Sequence, residues 1–148
     1  MAMAERTATT TWEGDLPKGQ GTVSVSSGAI GDFPVTWASR TEKRSEGKTS
    51  PEELIAAAHS SCFSMALSNV LAQGGHPPDS LEVSSTVVFD MVDGGPKVTE
   101  SRITVHGRVP GIDEAGFQEA VRTAEQGCPV SNALRGNVEM SVDASLGG

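Results

Sequence analysis

The chain has 148 residues and a net charge of −8, with 11 Lys and Arg against 19 Asp and Glu. This length predicts a single domain, residues 1–148, with enough chain to bury a core. The acidic balance argues against binding to nucleic acid or to an anionic membrane surface. The N-terminal residues form no apolar run and no stretch is long enough to cross a bilayer, so we expect no secretion signal, no membrane partner and a cytoplasmic location.

The first third of the chain predicts strands followed by a polar loop. Residues 7–12 and 21–27 are rich in Thr, Val and Ser and are separated by a turn-forming Gly and Pro segment, which is typical of two β-strands. Residues 33–39 form a third strand candidate. The charged segment 41–48 predicts a loop.

The next segment predicts a long helix. Ser50 suits the N-cap, Pro51 the first helical position and Glu53 a capping box with Ser50. Gly74 and Gly75 predict its end. Because many of its side chains are Ala or Ser, other helices can approach closely, and we expect this helix to be buried on several sides.

The remaining chain predicts a hairpin, two helices and a last strand. Residues 81–92 and 97–109 flank a turn sequence. Asp113 suits the N-cap of a helix that ends near residue 126, and Pro129 suits the start of a short helix through residue 134. Residues 138–142 predict a strand. This order of elements indicates an α+β fold.

Two cysteines are the candidate reactive groups. Cys128 is expected at the N-cap of the short helix, where backbone N–H groups favour a thiolate, although a small residue also suits a tight helix corner. Cys62 lies inside the long apolar helix, where cysteines usually act as small hydrophobic residues. Burial raises a thiol pKa, so a reactive Cys62 needs a cation. The candidates are Arg40, Arg44, Lys43 and Lys48. Arg40 is favoured because it closes an apolar run, whereas the other three lie among opposite charges.

A metal site is a further interpretation of the same segment. His59 and Cys62 are three residues apart on one helix face, and Cys128 and His76 are possible further ligands. No paired Cys-x-x-Cys or His-x-x-x-His motif supports such a site. A core or cleft histidine with hydrogen-bond partners is the simpler interpretation of His59.

With these residues identified, the chain resembles the osmotically inducible protein C branch of the OsmC/Ohr superfamily of thiol peroxidases. The two cysteine motifs that carry the resemblance are SPEELIAAAHSSCFSMAL at residues 50–67 and GCPVSNAL at residues 127–134. Supporting matches are WEGD at 12–15, GQGTV at 19–23 and VPGI at 109–112. The resemblance implies antiparallel β-sheets wrapped around a long buried central helix, in an intertwined homodimer.

The resemblance also implies a function and the residues that carry it. It implies reduction of organic hydroperoxides, and more weakly of hydrogen peroxide, by Cys62, with Cys128 resolving the sulfenic acid to a disulfide. It implies that Arg40 activates Cys62 and that Glu52 orients Arg40, with Arg44 as a rival for the arginine. No metal or organic cofactor is implied, and the implied reductant is a dithiol such as a lipoylated protein.

Two other classes of function remain open, namely a non-enzymatic domain that binds a hydrophobic ligand and a structural homodimer with inert cysteines.

The spacing of Glu52 and Cys62 adds one expectation about the assembly. Ten helical residues span about 15 Å, so an unbroken helix keeps these two side chains apart in one chain. We therefore expect each active site to be shared between two chains.

Overall fold

The computed structural model describes residues 2–147, which divide into two compact units on either side of the bond between Pro51 and Glu52. The first unit contains a three-stranded antiparallel sheet. Its strands β1 (Ala8–Glu13), β2 (Gln20–Val25) and β3 (Phe33–Val35) pair in chain order. The first two predicted strands are therefore confirmed, with small shifts at their ends, and the third is confirmed for its first three residues.

A short helix replaces the second half of the third predicted strand. Helix α1 (Trp37–Thr41) begins after Thr36, whose side chain accepts a hydrogen bond from the Ser39 N–H, while Ser39 Oγ accepts one from the Thr36 N–H, each at 3.0 Å. This reciprocal capping turns the backbone out of the sheet directly after β3. The prediction of a strand through residue 39 is therefore wrong beyond Val35, and Arg40 is helical.

Helix α2 (Pro51–Gln73) opens the second unit and buries one face. His59, Phe63, Leu67 and Leu71 recur every four residues and are all buried. Ala57, Ser61, Met65, Asn69 and Ala72 form an exposed stripe on another face, and Met65 is 73% exposed. Within one chain the helix is thus less buried than the sequence predicts, because its small residues face away from the sheet of this unit.

Among residues 2–147, α2 is also the one helix that is long and apolar enough to cross a membrane. The expectation that no stretch has the necessary length is corrected by this finding. Core helices of water-soluble proteins pass the same test of length and composition. The test alone therefore does not make α2 a membrane span.

The second sheet is mixed. Strands β4 (Ser80–Val92) and β5 (Gly95–Arg108) form the predicted hairpin, and β6 (Glu139–Leu146) pairs with β5 in parallel. The implied all-antiparallel arrangement is wrong at this last strand. Two helices connect β5 to β6, and a crossover of that length allows the chain to return in the same direction.

Both helices of this crossover begin as predicted. Helix α3 (Glu114–Gly127) is capped by Asp113, which accepts a hydrogen bond from the Gly116 N–H at 2.7 Å, and helix α4 (Pro129–Leu134) is capped by Cys128. The inward-facing residues of β5 meet α3 closely. A Cβ atom at Gly107 would lie 2.8 Å from the Phe117 ring, so only glycine allows this approach. Phe117 and Val105 are fully buried there.

Candidate active site

Cys62 lies in the middle of α2, one residue before the fully buried Phe63. The cysteine itself is partly exposed. A helical position next to a buried face places a side chain at the edge of the core, between packed residues and solvent. Cys62 is therefore less enclosed by the core than its neighbour Phe63.

Cys128 occupies the corner between α3 and α4 and is fully buried. Its backbone N–H donates to the Ala124 carbonyl at 2.8 Å and so completes α3. Its Sγ atom accepts a hydrogen bond from the Ser131 N–H at 3.5 Å and so caps α4. The prediction that Cys128 is an N-cap is confirmed, and this double role fixes the position of its sulfur.

The two sulfurs meet although their residues are 66 positions apart in the chain. The distance from Cys128 Sγ to Cys62 Sγ is 3.4 Å, and both cysteines are free thiols. At this distance one thiol can donate a hydrogen bond to the other. A disulfide requires an approach to about 2.0 Å, which a small movement of either side chain achieves.

The surroundings of the two thiols shift their pKa values in opposite directions. Burial raises the pKa of Cys62; the Val130 N–H opposes this rise, and the neighbouring Cys128 adds to it. Burial also acts to raise the pKa of Cys128, but hydrogen bonds from the Ser131 side chain and N–H, from Cys62 and from the Val130 N–H outweigh it, so this pKa is lowered. A thiolate at Cys62 consequently requires a further positive charge.

A buried chain of polar side chains lies behind the cysteine pair. His59 Nε2 is 2.8 Å from Ser131 Oγ, His59 Nδ1 is 2.7 Å from Ser101 Oγ, and Ser101 Oγ is 2.9 Å from Ser85 Oγ. His59 and Ser101 are almost completely buried, and burial lowers the pKa of His59. The interpretation of His59 as a hydrogen-bonded core histidine is confirmed.

Ser101 and Ser131, the serines that bind His59, are not among the site residues that the sequence predicts. Ser131 is three positions after the predicted N-cap Cys128, which is the position whose N–H a cap normally accepts. Ser101 is a polar residue at an inward-facing position of β5, in the alternation with Ile103 and Val105. Both signals are present in the sequence, but neither identifies His59 as the partner.

Arg40 and Glu52 lie in different units. Arg40 is on α1, with its guanidinium carbon 6.0 Å from the centre of the Trp37 ring. Glu52 is buried in the first turn of α2, and the helix continues unbroken to Cys62, so about 15 Å of helix separates the two residues. Arg44 is exposed in the loop after α1. The roles of these residues remain predictions.

The predicted alternative of a metal site finds no support in residues 2–147, where no three His, Cys, Asp or Glu side chains lie close enough to hold an ion. Both ring nitrogens of His59 are within hydrogen-bond distance of serine hydroxyls. His59 is therefore not positioned as a ligand together with Cys62.

Comparisons with known proteins agree with the motif resemblance. Residues 43–143 match the family model described as OsmC-like protein. The chain is 42% identical to peroxiredoxin OsmC of Escherichia coli (strain K12) over 91% of this chain and 92% of that protein. It is 40% identical to an organic hydroperoxide resistance protein of Xanthomonas axonopodis pv. citri (strain 306), over 64% of this chain and 65% of that protein.

The fold agrees with the same relatives. The crystal structure of the organic hydroperoxide resistance protein OhrB of Bacillus subtilis superposes with a TM-score of 0.73 at 28% identity, covering 94% of this chain and 98% of that one. An organic hydroperoxide resistance protein from Elizabethkingia anophelis gives a TM-score of 0.74 at 26% identity, covering 99% of this chain and all of that one. On its sequence, its two cysteine motifs and its α+β fold, the chain belongs to the OsmC-like family.

Proposed function

We propose that this protein is a cysteine-based peroxidase that reduces organic hydroperoxides, and hydrogen peroxide more weakly. The observation that carries the proposal is the pair of free thiols whose sulfurs are 3.4 Å apart at the edge of the core. The names of the relatives, a peroxiredoxin and organic hydroperoxide resistance proteins, support the same class of reaction. A pair of thiols that can close and reopen a disulfide needs no metal or organic cofactor.

Cys62 is the attacking thiol in this proposal because it is the accessible one. Its thiolate attacks the distal oxygen of the peroxide, the O–O bond breaks, and the alkoxide leaves as an alcohol after it takes up a proton. Cys128 has the lower pKa, but its side chain is fully buried, so a bulky hydroperoxide cannot approach its sulfur in line. Cys128 instead attacks the Cys62 sulfenic acid, forming the disulfide and releasing water.

Arg40 supplies the positive charge that Cys62 needs. A guanidinium keeps its charge when it is buried and can bind a thiolate and a carboxylate together. Arg40 therefore lowers the Cys62 pKa, and Glu52 holds the guanidinium in place. The burial of Glu52 supports this role, since buried carboxylates are normally paired.

Two chains form each active site. Because α2 is unbroken between Glu52 and Cys62, one chain cannot bring both side chains to the same arginine. The exposed stripe of small residues and Met65 on α2 offers a second copy a face for close helix packing. A groove of about 640 Å³, which includes Met65 and Asn69, lies along this stripe. The proposed assembly is a homodimer in which Glu52 of one α2 lies beside Cys62 of the other.

The proposed reductant is a dithiol such as a lipoylated protein, because thiol–disulfide exchange restores both cysteines in two steps. The proposed location is the cytoplasm, and the whole chain acts as one domain. The hydrogen bonds between His59 on α2 and the serines of β5 and α4 support a core role for the helix that is long enough to cross a membrane.

A single-turnover experiment tests the proposed function. The reduced protein is mixed with one equivalent of cumene hydroperoxide, and cumyl alcohol, free thiols and the Cys62–Cys128 disulfide are measured. We expect one alcohol and two lost thiols for each chain, and turnover when dihydrolipoamide is added. Saturable binding of the hydroperoxide without alcohol formation would instead indicate a hydrophobic-ligand-binding domain. Neither binding nor thiol loss would indicate a structural dimer with inert cysteines.

A further inference from the structure

The polar chain behind the cysteines ends at the Cys128 sulfur. The sequence of contacts is Ser85, Ser101, His59 and Ser131, with oxygen–oxygen and oxygen–nitrogen distances between 2.7 and 2.9 Å. Ser131 then reaches Cys128 through its backbone N–H, which is 3.5 Å from Sγ. Each of the four residues lies on a different helix or strand, and His59, Ser101 and Ser131 are at most 1% exposed.

His59 is neutral in this setting, because its burial disfavours the imidazolium ion. A neutral imidazole has one nitrogen that donates and one that accepts. The hydrogen bonds along this series of polar side chains must therefore all run in one of two directions. The choice of direction decides what the Ser131 hydroxyl can do.

In the first direction His59 Nδ1 accepts from Ser101, and Nε2–H donates to Ser131. The Ser131 hydrogen is then free to donate to the Cys128 sulfur. In the second direction the Ser131 hydroxyl donates to Nε2, and Cys128 retains only backbone N–H donors and the Cys62 thiol. A thiolate at Cys128 favours the first direction, since a hydrogen bond to a charged acceptor is stronger than one to a neutral acceptor.

We propose that His59 is a positioning residue for Cys128: its Nε2–H donates to Ser131, and the Ser131 hydroxyl thereby donates to the Cys128 sulfur. The description of Cys128 as the resolving thiol rests on the proposed function, whereas the hydrogen-bond direction does not. Ser131 is in the first turn of α4 and its backbone N–H already binds Cys128 Sγ, so its hydroxyl group starts from a backbone that is in contact with that sulfur. His59 contacts neither the peroxide nor a reacting sulfur in this scheme and acts through Ser131.

The proposal gives His59 an effect on only one step of the reaction. In the resolving step the Cys128 thiolate attacks the Cys62 sulfur, the S–S bond forms and the S–O bond breaks, and the leaving hydroxide takes up a proton, equivalent to the one that the Cys128 thiol released, to give water. A larger thiolate fraction at Cys128 accelerates this step. The earlier attack of Cys62 on the peroxide does not use the Ser131 hydroxyl.

The first test measures the Cys128 thiolate directly in a Cys62→Ser background, so that no peroxide chemistry is required. The ultraviolet absorbance of the thiolate is followed against pH, and because the chain contains no tyrosine, no phenolate absorbs in the same range. Ser131→Ala and His59→Leu remove the proposed donor. His59→Gln retains an amide N–H near the position of Nε2. Ser145→Ala is the matched control, because Ser145 Oγ also contacts a histidine, His106 Nδ1, at 3.1 Å, in a different part of the sheet.

We expect Ser131→Ala and His59→Leu to move the midpoint to higher pH, so that the thiolate fraction at a fixed pH below the midpoint falls roughly tenfold. His59→Gln should restore most of this loss, and Ser145→Ala should have no effect. An unmoved midpoint in folded Ser131→Ala protein would overturn the proposal. An equal shift in Ser145→Ala would overturn it as well, because a general loosening of the core would then explain the effect.

The second test uses chains with both cysteines. After one equivalent of cumene hydroperoxide, the sulfenic acid on Cys62 is trapped with dimedone at successive times. Ser131→Ala should form the sulfenic acid at the normal rate and lose it about threefold more slowly, because the higher nucleophilicity of a more basic thiolate offsets part of the tenfold loss. Equal slowing of both steps would contradict a role confined to Cys128. Failure of the parent protein to react with peroxide would overturn the proposed function and leave the absorbance test intact.

Discussion

The Sγ atoms of Cys62 and Cys128 lie 3.4 Å apart, yet Cys62 is partly exposed and Cys128 is buried. The more exposed thiol is therefore not the more acidic one, since the surroundings lower the pKa of Cys128 and raise the pKa of Cys62. This separation leads to distinct predictions for the two cysteines. It also shows why a positive charge is needed at the accessible one.

Replacement of each cysteine in turn should separate the two steps. Cys62→Ser should abolish peroxide reduction, because a hydroxyl group cannot replace the thiolate. Cys128→Ser should react once and retain a sulfenic acid on Cys62, because no second thiol remains to condense with it. Mass spectrometry after dimedone treatment measures both outcomes. Turnover by Cys62→Ser, with the label on Cys128 in the wild-type protein, would show that the roles are reversed.

The activating arginine can be identified with a matched pair of variants. Arg40→Ala should raise the pKa of Cys62 and slow its attack on peroxide by about tenfold or more, which is the effect expected when a charge-assisted contact is lost. Arg44→Ala, in the exposed loop after α1, should change the rate little. Stopped-flow measurement of the first step across pH gives both values. A larger loss in Arg44→Ala would place the activating charge on Arg44.

Much of the second unit could be predicted from local signals. Pro51 and the glycines after residue 73 define α2, Asp113 caps α3, and Cys128 caps α4, because capping depends on residues within one turn. Helix α1 is not predicted although Thr36 and Ser39 have capping-box spacing, because the strand-like residues before them favour continuation of the strand. The contacts of His59 with Ser101 and Ser131 join residues 42 and 72 positions apart, and only the assembled core brings them together.

The stability of the fold should depend on pH through His59. Burial lowers the pKa of His59 in the folded state, so the unfolded chain binds a proton more readily once the pH falls below about 6.5. The free energy of unfolding should therefore be highest above that pH and should decrease by up to about 1.4 kcal/mol per pH unit below it. Urea denaturation between about pH 7 and pH 5, above the range where carboxylates protonate, measures this slope.

Two histidine variants test whether the pH dependence of the free energy of unfolding comes from His59 or from another titrating group. His59→Gln removes the titrating ring from the core and should reduce the slope. His106→Gln is the control, because His106 is exposed on β5. The slope should remain in His106→Gln. Retention of the full slope in His59→Gln would assign the pH dependence to another group.

The close approach of β5 to α3 predicts a cost for one added methyl group. A Cβ atom at Gly107 would lie 2.8 Å from the Phe117 ring, so Gly107→Ala should destabilise the protein by about 1–3 kcal/mol. Thr104→Ala, at an exposed position of the same strand, is the control and should cost much less. Thermal unfolding measures both variants. Adding Phe117→Leu to Gly107→Ala should recover part of the loss if the ring is the obstacle.

The shared active site can be tested by complementation. Cys62→Ser chains lack the proposed attacking thiol, and Glu52→Ala chains lack the carboxylate that we propose holds Arg40, so each parent should be inactive or nearly so. In the proposed mixed dimer, Glu52 from the first variant should lie beside Cys62 of the second, so that one complete site forms. Refolding an equal mixture, in which about half of randomly paired dimers are mixed, should therefore recover about a quarter of the wild-type activity, since each mixed dimer has one of two sites. No recovery in mixed dimers proven by mass spectrometry, or full activity of a monomer by light scattering, would show that one chain builds the whole site.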